Sequence, residues 1–365
     1  MLIGIEAAHA NKLHRTGVEG YCYHLIQALK KTIPSTDTVI LYSNKPLIEG
    51  LRDLPPNWKV KILHWPFSKM WNQIRLSIHF LFRRNPDIYF SPGQILPAIC
   101  PKVSVTMIHD SAFMVYPKAY GFWSRFYLKK MNQKIIDKSS LLITSTEFNK
   151  RELQRLYGVQ AGKKTQVIPI AFQPLVAPAN FKPADLGVTK KYLLTIGRLE
   201  TKKNTKQLVE VFSVIRQTID AQLVLVGKPG VGYSAIKKAI NQSPYKEDII
   251  RFDFLEKEQL SGLLKNASVF VFPSIYEGFG LPLLEAFSLG VPVVSSNIEA
   301  LQEIGGAAAY YVDPLDTAAM AEAILKIINN PGEQIKLAHE GRERAAFYSW
   351  EKTAKLTWDA IANLH

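Results

Sequence analysis

Residues 267–296 read ASVFVFPSIYEGFGLPLLEAFSLGVPVVSS. An apolar run, Val269 to Phe272, leads into a Gly-rich turn; a short helical pattern then ends at Gly290, and a second apolar run follows, Val291 to Val294. Strand–turn–helix–strand is the parallel βαβ unit. Pro282 falls early in the helix, where a missing N–H is harmless, and Gly290 can take the left-handed C-terminal position. The backbone amides after Gly278 and Gly280 are therefore expected to point, unpaired, across the carboxyl end of the sheet. That is a seat for an anion such as a diphosphate. Two carboxylates bracket it, Glu277 in the turn and Glu285 on the helix.

Working outward, the second half alternates strand and helix. Strands are predicted at 191–197, 222–226, 249–254 and 309–312, and helices at 204–217, 231–242, 256–265, 299–304, 315–329, 331–347 and 350–363. Strand 191–197 ends in Gly197-Arg198, and Lys202-Lys203-Asn204 precedes the next helix. Arg clamps two phosphate oxygens and Lys brings a mobile point charge, so the pair suits a pyrophosphate leaving group. Val226-Gly227-Lys228 is a further Gly turn at a strand end.

The first half alternates in the same way. Strands are expected at 2–7, 38–43, 59–64, 87–91, 103–109, 141–146 and 166–171, and helices at 18–29, 70–82 and 147–157, the last capped by Thr146 and ended by Gly158. Gly17 lies in the loop before the first helix, where it serves either loop geometry or close approach of a ligand. His109 sits at a strand's carboxyl edge, the side on which parallel sheets bind ligands. Asp110 either orients it or caps the next turn. Residues 118–138 form a helix whose apolar positions (Phe122, Trp123, Phe126, Tyr127, Met131, Ile135) stand beside Lys118, Arg125, Lys129, Lys130, Lys134 and Lys138. This is either an interfacial helix on an anionic membrane or a packed helix with a solvated basic face. Met70-Trp71, Arg75, Arg83 and Arg84 would extend the same surface. Two runs of alternation predict two doubly wound parallel sheets, with the Pro-rich, aperiodic segment Gln173 to Gly187 as the linker.

Glu-x7-Glu inside a turn–Gly–Pro–helix, GR followed by KKN, His-Asp at the strand end and the Gly17 loop together resemble glycosyltransferase family 4. These are retaining nucleotide-sugar transferases of the GT-B fold: two Rossmann-like domains facing across a cleft. The resemblance runs from Gly17 to the final helix. It implies an N-terminal acceptor domain over 1–174, a nucleotide-sugar domain over 175–349, and a last helix, 350–365, crossing back to the first domain. It further implies that His109 faces the donor sugar and that Arg198 and Lys203 hold the donor phosphates. Glu277 would hydrogen-bond the transferred sugar, and Glu285 the ribose hydroxyls. Gly17, Gly197, Gly227 and the amides of Phe279, Gly280 and Leu281 would line the donor. The chain departs from the family beside Gly17, with Glu19 where the family often has Gly and Gly20 where it often has Arg. No acidic pair follows a strand where a bridging metal would sit, so neither metal nor cofactor is expected beyond the nucleoside-diphosphate sugar substrate. Whether transfer is front-face or runs through a covalent bond to Glu277 is left open. YEGFGLPLLEA with the terminal SWE most resembles the mannosyltransferase-like branch, which puts GDP-mannose ahead of UDP- and dTDP-sugars.

Composition bounds the partners. The 365 residues suffice for two ordinary domains. Cys22 and Cys100, far apart, read as thiols in a reducing compartment. Neither a signal peptide nor an apolar run of the ~18–20 residues needed for a membrane span is recognisable. A cytoplasmic protein, soluble or peripheral at the inner membrane face, is expected. The net charge of +14 is uneven: of 45 Lys+Arg and 31 Asp+Glu, residues 1–180 hold 24 and 10, leaving 21 of each to the remainder. A basic first half suggests an anionic partner there. With the aromatic helix, this favours a saccharide or lipid-linked saccharide acceptor, contact with anionic membrane at Arg125, Lys129, Lys130 and Lys134, and no nucleic acid. The rivals are a same-fold epimerase or phosphorylase and a non-catalytic membrane- or nucleic-acid-binding protein.

Overall fold

The computed structural model describes residues 1–15, 17–67, 69–117 and 121–364. The chain divides into two units. One comprises Met1–Val115, the described residues through Ala171, and the C-terminal stretch from Tyr348; the other holds Phe172–Phe347 with Tyr116 and Pro117.

The first unit is built on a parallel seven-stranded sheet. Its strands are β1 (Leu2–Glu6), β2 (Thr38–Ser43), β3 (Trp58–Ile62), β4 (Ile88–Ser91), β5 (Val103–Ile108), β6 (Leu141–Thr144) and β7 (Thr165–Val167). Their order is β3-β2-β1-β4-β5-β6-β7. The order reverses between β1 and β4, and a parallel sheet opens a crevice at the carboxyl ends of such a pair. Central β4 is buried at every residue, whereas edge β3 exposes Lys59, Val60 and Lys61. The final helix, Trp350–Ala362, belongs to this unit, with Trp350 5.3 Å from the ring of His24 and Thr353 Oγ1 donating to Pro169 O at 2.8 Å.

The second unit carries β8 (Lys191–Ile196), β9 (Ala221–Val226), β10 (Ile249–Phe252), β11 (Val269–Phe272), β12 (Val293–Ser296) and β13 (Tyr310–Val312). All pair in parallel, in the order β10-β9-β8-β11-β12-β13, with the reversal between β8 and β11. Phe270, Phe272 and Phe287 are fully buried. Each such ring contributes about 1.5–3 kcal/mol relative to an exposed one.

Local chemistry sets the helix ends. Thr146 accepts a hydrogen bond from the Asn149 amide, Ser349 one from that of Lys352, and Glu256 with Gln259 closes a capping box. Gly290, at φ +70°, ends helix Leu281–Ser288. Three expectations need revision. The strand over 166–171 stops at Val167: the Ile168 amide makes the last bond, to Thr144 O at 2.8 Å, and Pro169 has no N–H to carry the ladder on. The segment 70–82 opens as a π-helical turn, Trp71–Leu76, before becoming α-helical over Ser77–Phe82. Helix 118–138 is described from Phe122; Lys118 lies outside the described residues. Among the described residues, no helix is long and apolar enough to cross a membrane.

Candidate active site

In the second unit the site forms where β8 and β11 end. β8 runs into Gly197-Arg198 and then the short turn Thr201–Lys203, whose Lys203 N–H donates to Glu200 O at 3.0 Å. Asn204 closes it in the left-handed conformation and is tied through Nδ2 to Pro314 O at 2.6 Å. The turn after β11 bonds to the same loop, the Ile275 amide donating to Lys202 O at 2.9 Å. The two motifs, some seventy positions apart in sequence, thus share one backbone scaffold. Lys203 Nζ reaches Glu277 Oε1, forming an ion pair, and lies 5.1 Å from the ring centroid of buried Phe272. Arg198 is exposed beside this pair.

Gly227 holds the neighbouring turn in place. Its φ is +154°, and a Cβ there would overlap the carbonyl oxygen of Gly197, so no other residue fits without moving that loop. Gly280, at φ +118°, starts the helix that carries Glu285, and a Cβ on it would come within 2.6 Å of Leu301. Gly278 and Phe279 have interaction partners of their own. Phe279 is buried, and Leu281 opens the helix. Glu285 stands one turn into it and is largely shielded from water. Burial pushes its carboxyl up to about 7, with Lys257 opposing the shift. The structure joins Lys203 to Glu277.

Sequence reasoning missed Ser274. It is buried, its hydroxyl has no hydrogen-bond partner, and it lines a recess with Thr195, Gly197, Arg198, Lys203 and Phe272. Two cations and a hydroxyl are donors, which suits phosphate oxygens.

In the first unit, His109 lies just past the end of β5. Its backbone N–H donates to Gln94 Oε1 at 2.8 Å, and its Nε2 is 2.9 Å from Pro92 O. A carbonyl only accepts, so Nε2 carries the hydrogen and Nδ1 keeps a lone pair. Burial lowers the imidazole to about 4, a shift that the bond to Pro92 and the charge of Asp110 oppose. His109 is therefore a neutral hydrogen-bond acceptor at neutral pH. Asp110 Oδ1 accepts the Ala112 amide at 3.0 Å, capping the next turn. Gly17 opens helix Gly17–Thr32, and a Cβ there would meet nothing within 4 Å. Steric demand from the protein does not explain that glycine.

The buried residues of helix Phe122–Lys138 are Asn132, Ile135 and Ile136, all in its second half. Phe122, Trp123 (78% exposed), Phe126 and Tyr127 face outward beside exposed Arg125, Lys129 and Lys130, while Lys134 is half-buried and its ammonium lowered by burial. A second missed feature is Glu6, fully buried at the end of β1 and paired with His9. A charged residue closing the apolar run LIGIE was the available signal.

Two parallel-sheet α/β units, the second with a cationic, phosphate-suited switch point, define a glycosyltransferase of the GT-B fold. Residues 177–345, which contain Gly197, Arg198, Lys203, Gly227, Glu277 and Glu285, match the family Glycosyl transferases group 1. It is similar to O-antigen chain mannosyltransferase B of Escherichia coli, 29% identical over 75% of this chain and 73% of the relative. It is also similar to the MMP α-(1→4)-mannosyltransferase of Mycolicibacterium hassiacum, 30% identical over 50% of this chain and 48% of that protein. Among solved structures, sucrose-phosphate synthase from Thermosynechococcus elongatus superposes with a TM-score of 0.75 at 20% identity, over 100% of this chain and 98% of that one.

Proposed function

We propose that the protein transfers a mannosyl unit from GDP-mannose, with retention of configuration, to a saccharide or lipid-linked saccharide in the assembly of a cell-surface polysaccharide. The observation that carries this is the Lys203–Glu277 ion pair beside Arg198 at the β8/β11 switch point, inside the region that matches the family. The mannosyltransferase relatives support the choice of sugar.

A donor diphosphate would take Arg198 and Lys203 at the mouth of the recess, drawing Lys203 from Glu277 or sharing it. Charge that builds on the departing phosphate is then met by fixed cations in a partly dry site. Glu277 is left beside the sugar to accept one of its hydroxyls. The bond from the anomeric carbon to the phosphate oxygen breaks, and the acceptor oxygen bonds to the same face. The acceptor's proton passes to the leaving phosphate. Glu285 is suited to a vicinal diol such as that of the ribose, and neutral Nδ1 of His109 to a sugar hydroxyl.

The exposed aromatic end of helix Phe122–Lys138, with its cations, supports peripheral contact with an anionic inner membrane face, each cation contributing about 1 kcal/mol near the surface. Flotation with anionic and neutral vesicles tests this. Binding to anionic vesicles only, lost in Trp123→Ser/Phe126→Ser, is expected.

For the reaction itself, titration calorimetry against GDP-mannose, UDP-GlcNAc, UDP-glucose and dTDP-rhamnose should show preferential binding of GDP-mannose. Lys203→Ala and Glu277→Gln should each lower turnover at least about 100-fold. A folded protein that binds none of the four, or variants near wild-type rates, would refute the assignment.

A further inference from the structure

The turn that leaves β4 reads Ser91-Pro92-Gly93-Gln94, and its left-handed residue is not the glycine. Gln94 takes that conformation, at φ +56°, while Gly93 stands where a Cβ would come within 2.8 Å of the His9 ring. A residue with a Cβ occupies the left-handed region at a cost that glycine does not bear. Asparagine, one methylene shorter, tolerates it better than glutamine does. A glutamine held there is kept for what its longer side chain reaches, and such outliers cluster at functional sites.

Both ends of the Gln94 amide are engaged. Oε1 accepts the backbone N–H of His109 at 2.8 Å, and Nε2 donates to Asp110 O at 3.1 Å. These two residues follow β5 directly, and the pairing of β4 with β5 has by then stopped at Ser91 and Thr106. The carboxamide thus does for residues 109 and 110 what a peptide group of a neighbouring strand would do. Nε2 also lies 3.3 Å from Oδ1 of buried Asn132, which braces the glutamine against helix Phe122–Lys138.

The remaining contacts converge on the same histidine. Asn149 Nδ2 donates to His109 O at 3.1 Å, and Pro92 O, from the Gln94 turn, holds Nε2. The Tyr21 ring meets the imidazole edge-on at 4.9 Å. The N–H, the carbonyl and Nε2 of His109 are all fixed, and Nδ1 is the atom offered to a ligand. From this convergence we infer that Gln94 is a positioning residue of the transferase: it holds the 109–110 backbone so that His109 Nδ1 keeps one direction towards the sugar hydroxyl. The inference rests on the reading of His109 given above and adds the residue through which the fold aims it.

The test pairs a probe of the histidine itself with a kinetic cycle, both on the full chain. With isotope-labelled histidine, the ring nitrogens of His109 should show the single Nε2–H tautomer in the wild-type protein and mixed tautomers in Gln94→Gly and Gln94→Asn. Glycine relieves the backbone and asparagine tolerates it, so both variants should fold, and neither spans to residues 109 and 110. GDP released from GDP-mannose reports turnover. Each variant should lower kcat about tenfold, the worth of one hydrogen bond, with KM for GDP-mannose little moved. In a His109→Ala background the same substitutions should cost less than about twofold more, because the group they aim is gone. His109 resonances unchanged in both variants, or an undiminished tenfold loss in the His109→Ala background, would overturn the inference. His109→Ala at the wild-type rate would defeat the sugar-hydroxyl reading, and no GDP release from the wild-type protein would defeat the choice of donor. The ring resonances score Gln94 independently of both.

Discussion

Replacing Glu285 with Gln should make the second unit more stable at pH 8 and hardly change it at pH 5. The shielded carboxyl is raised from 4.5 to about 7, chiefly by burial. A carboxyl with a raised folded pKa binds more protons in the native than in the unfolded chain between those two values. Stability is therefore greatest below the lower value and falls as pH climbs through the window, levelling off above the upper one. At about 1.4 kcal/mol per unit, the shift amounts to about 3 kcal/mol when ionisation is complete and to less than about 1 kcal/mol at pH 5. Gln has the same shape and no charge, so it escapes the penalty. Its advantage should grow by about 2 kcal/mol between pH 5 and pH 8. Urea unfolding at the two pH values measures this, and the sequence supplies a convenient internal reference. All six tryptophans, Trp58, Trp65, Trp71, Trp123, Trp350 and Trp358, belong to the first unit. Fluorescence thus reports that unit alone, whereas far-UV circular dichroism reports both. The gain should appear in the dichroism transition; if the units unfold independently, fluorescence should not move. An advantage equal at both pH values, or a variant weaker at pH 8, would refute the burial argument. A carboxylate kept in place at this cost points to use in ligand binding.

The histidines should titrate apart. In a ring-proton titration by NMR, His109 should stay neutral from pH 8 down to about 5, because burial has lowered it to about 4, whereas His9, raised by the adjacent Glu6 carboxylate, should titrate above the ordinary 6.5. By linkage, the depressed His109 should destabilise the first unit as pH falls from about 6.5 towards 4, visible as a loss in the fluorescence transition. Gly227→Ala should destabilise the second unit by roughly 3 kcal/mol or more, since its Cβ would collide with the Gly197 carbonyl at a φ unsuited to alanine. Gly17→Ala, with open space around it, should shift the thermal midpoint by no more than a degree or so yet impair turnover if a substrate approaches that backbone; an unaffected rate would return Gly17 to a plain loop role.

The sequence made the strand–helix alternation and the donor motifs readable for one physical reason: each is carried by contiguous residues. Buried parallel strands are continuous apolar runs, and the phosphate-suited turns follow them directly. Pairing is different. Residues 168–171 are as apolar as a strand requires, yet they are not one, because Pro169 has no N–H for a ladder and β6 ends at Thr144. The i, i+3, i+4 stripe on helix Phe122–Lys138 is equally blind to its surroundings. The spacing that packs Ile135 into the core leaves Trp123 in solvent, and only the neighbouring elements decide which.

The same distinction separates the two switch points. At the second sheet, the residues proposed for the donor come from two loops whose own sequence is distinctive, GR…KKN and YEGFG, so a motif could locate them before any fold was known. At the first sheet, a pocket draws on five separate stretches, Ala8 to Lys12, Asn44, Lys69 to Gln73, Ile95 and Tyr127, and none of them carries a recognisable motif. The aim of its histidine, set by a buried carboxylate, is a property of packing. A diphosphate is alike in every nucleotide sugar, which lets its binders settle into a fixed short motif.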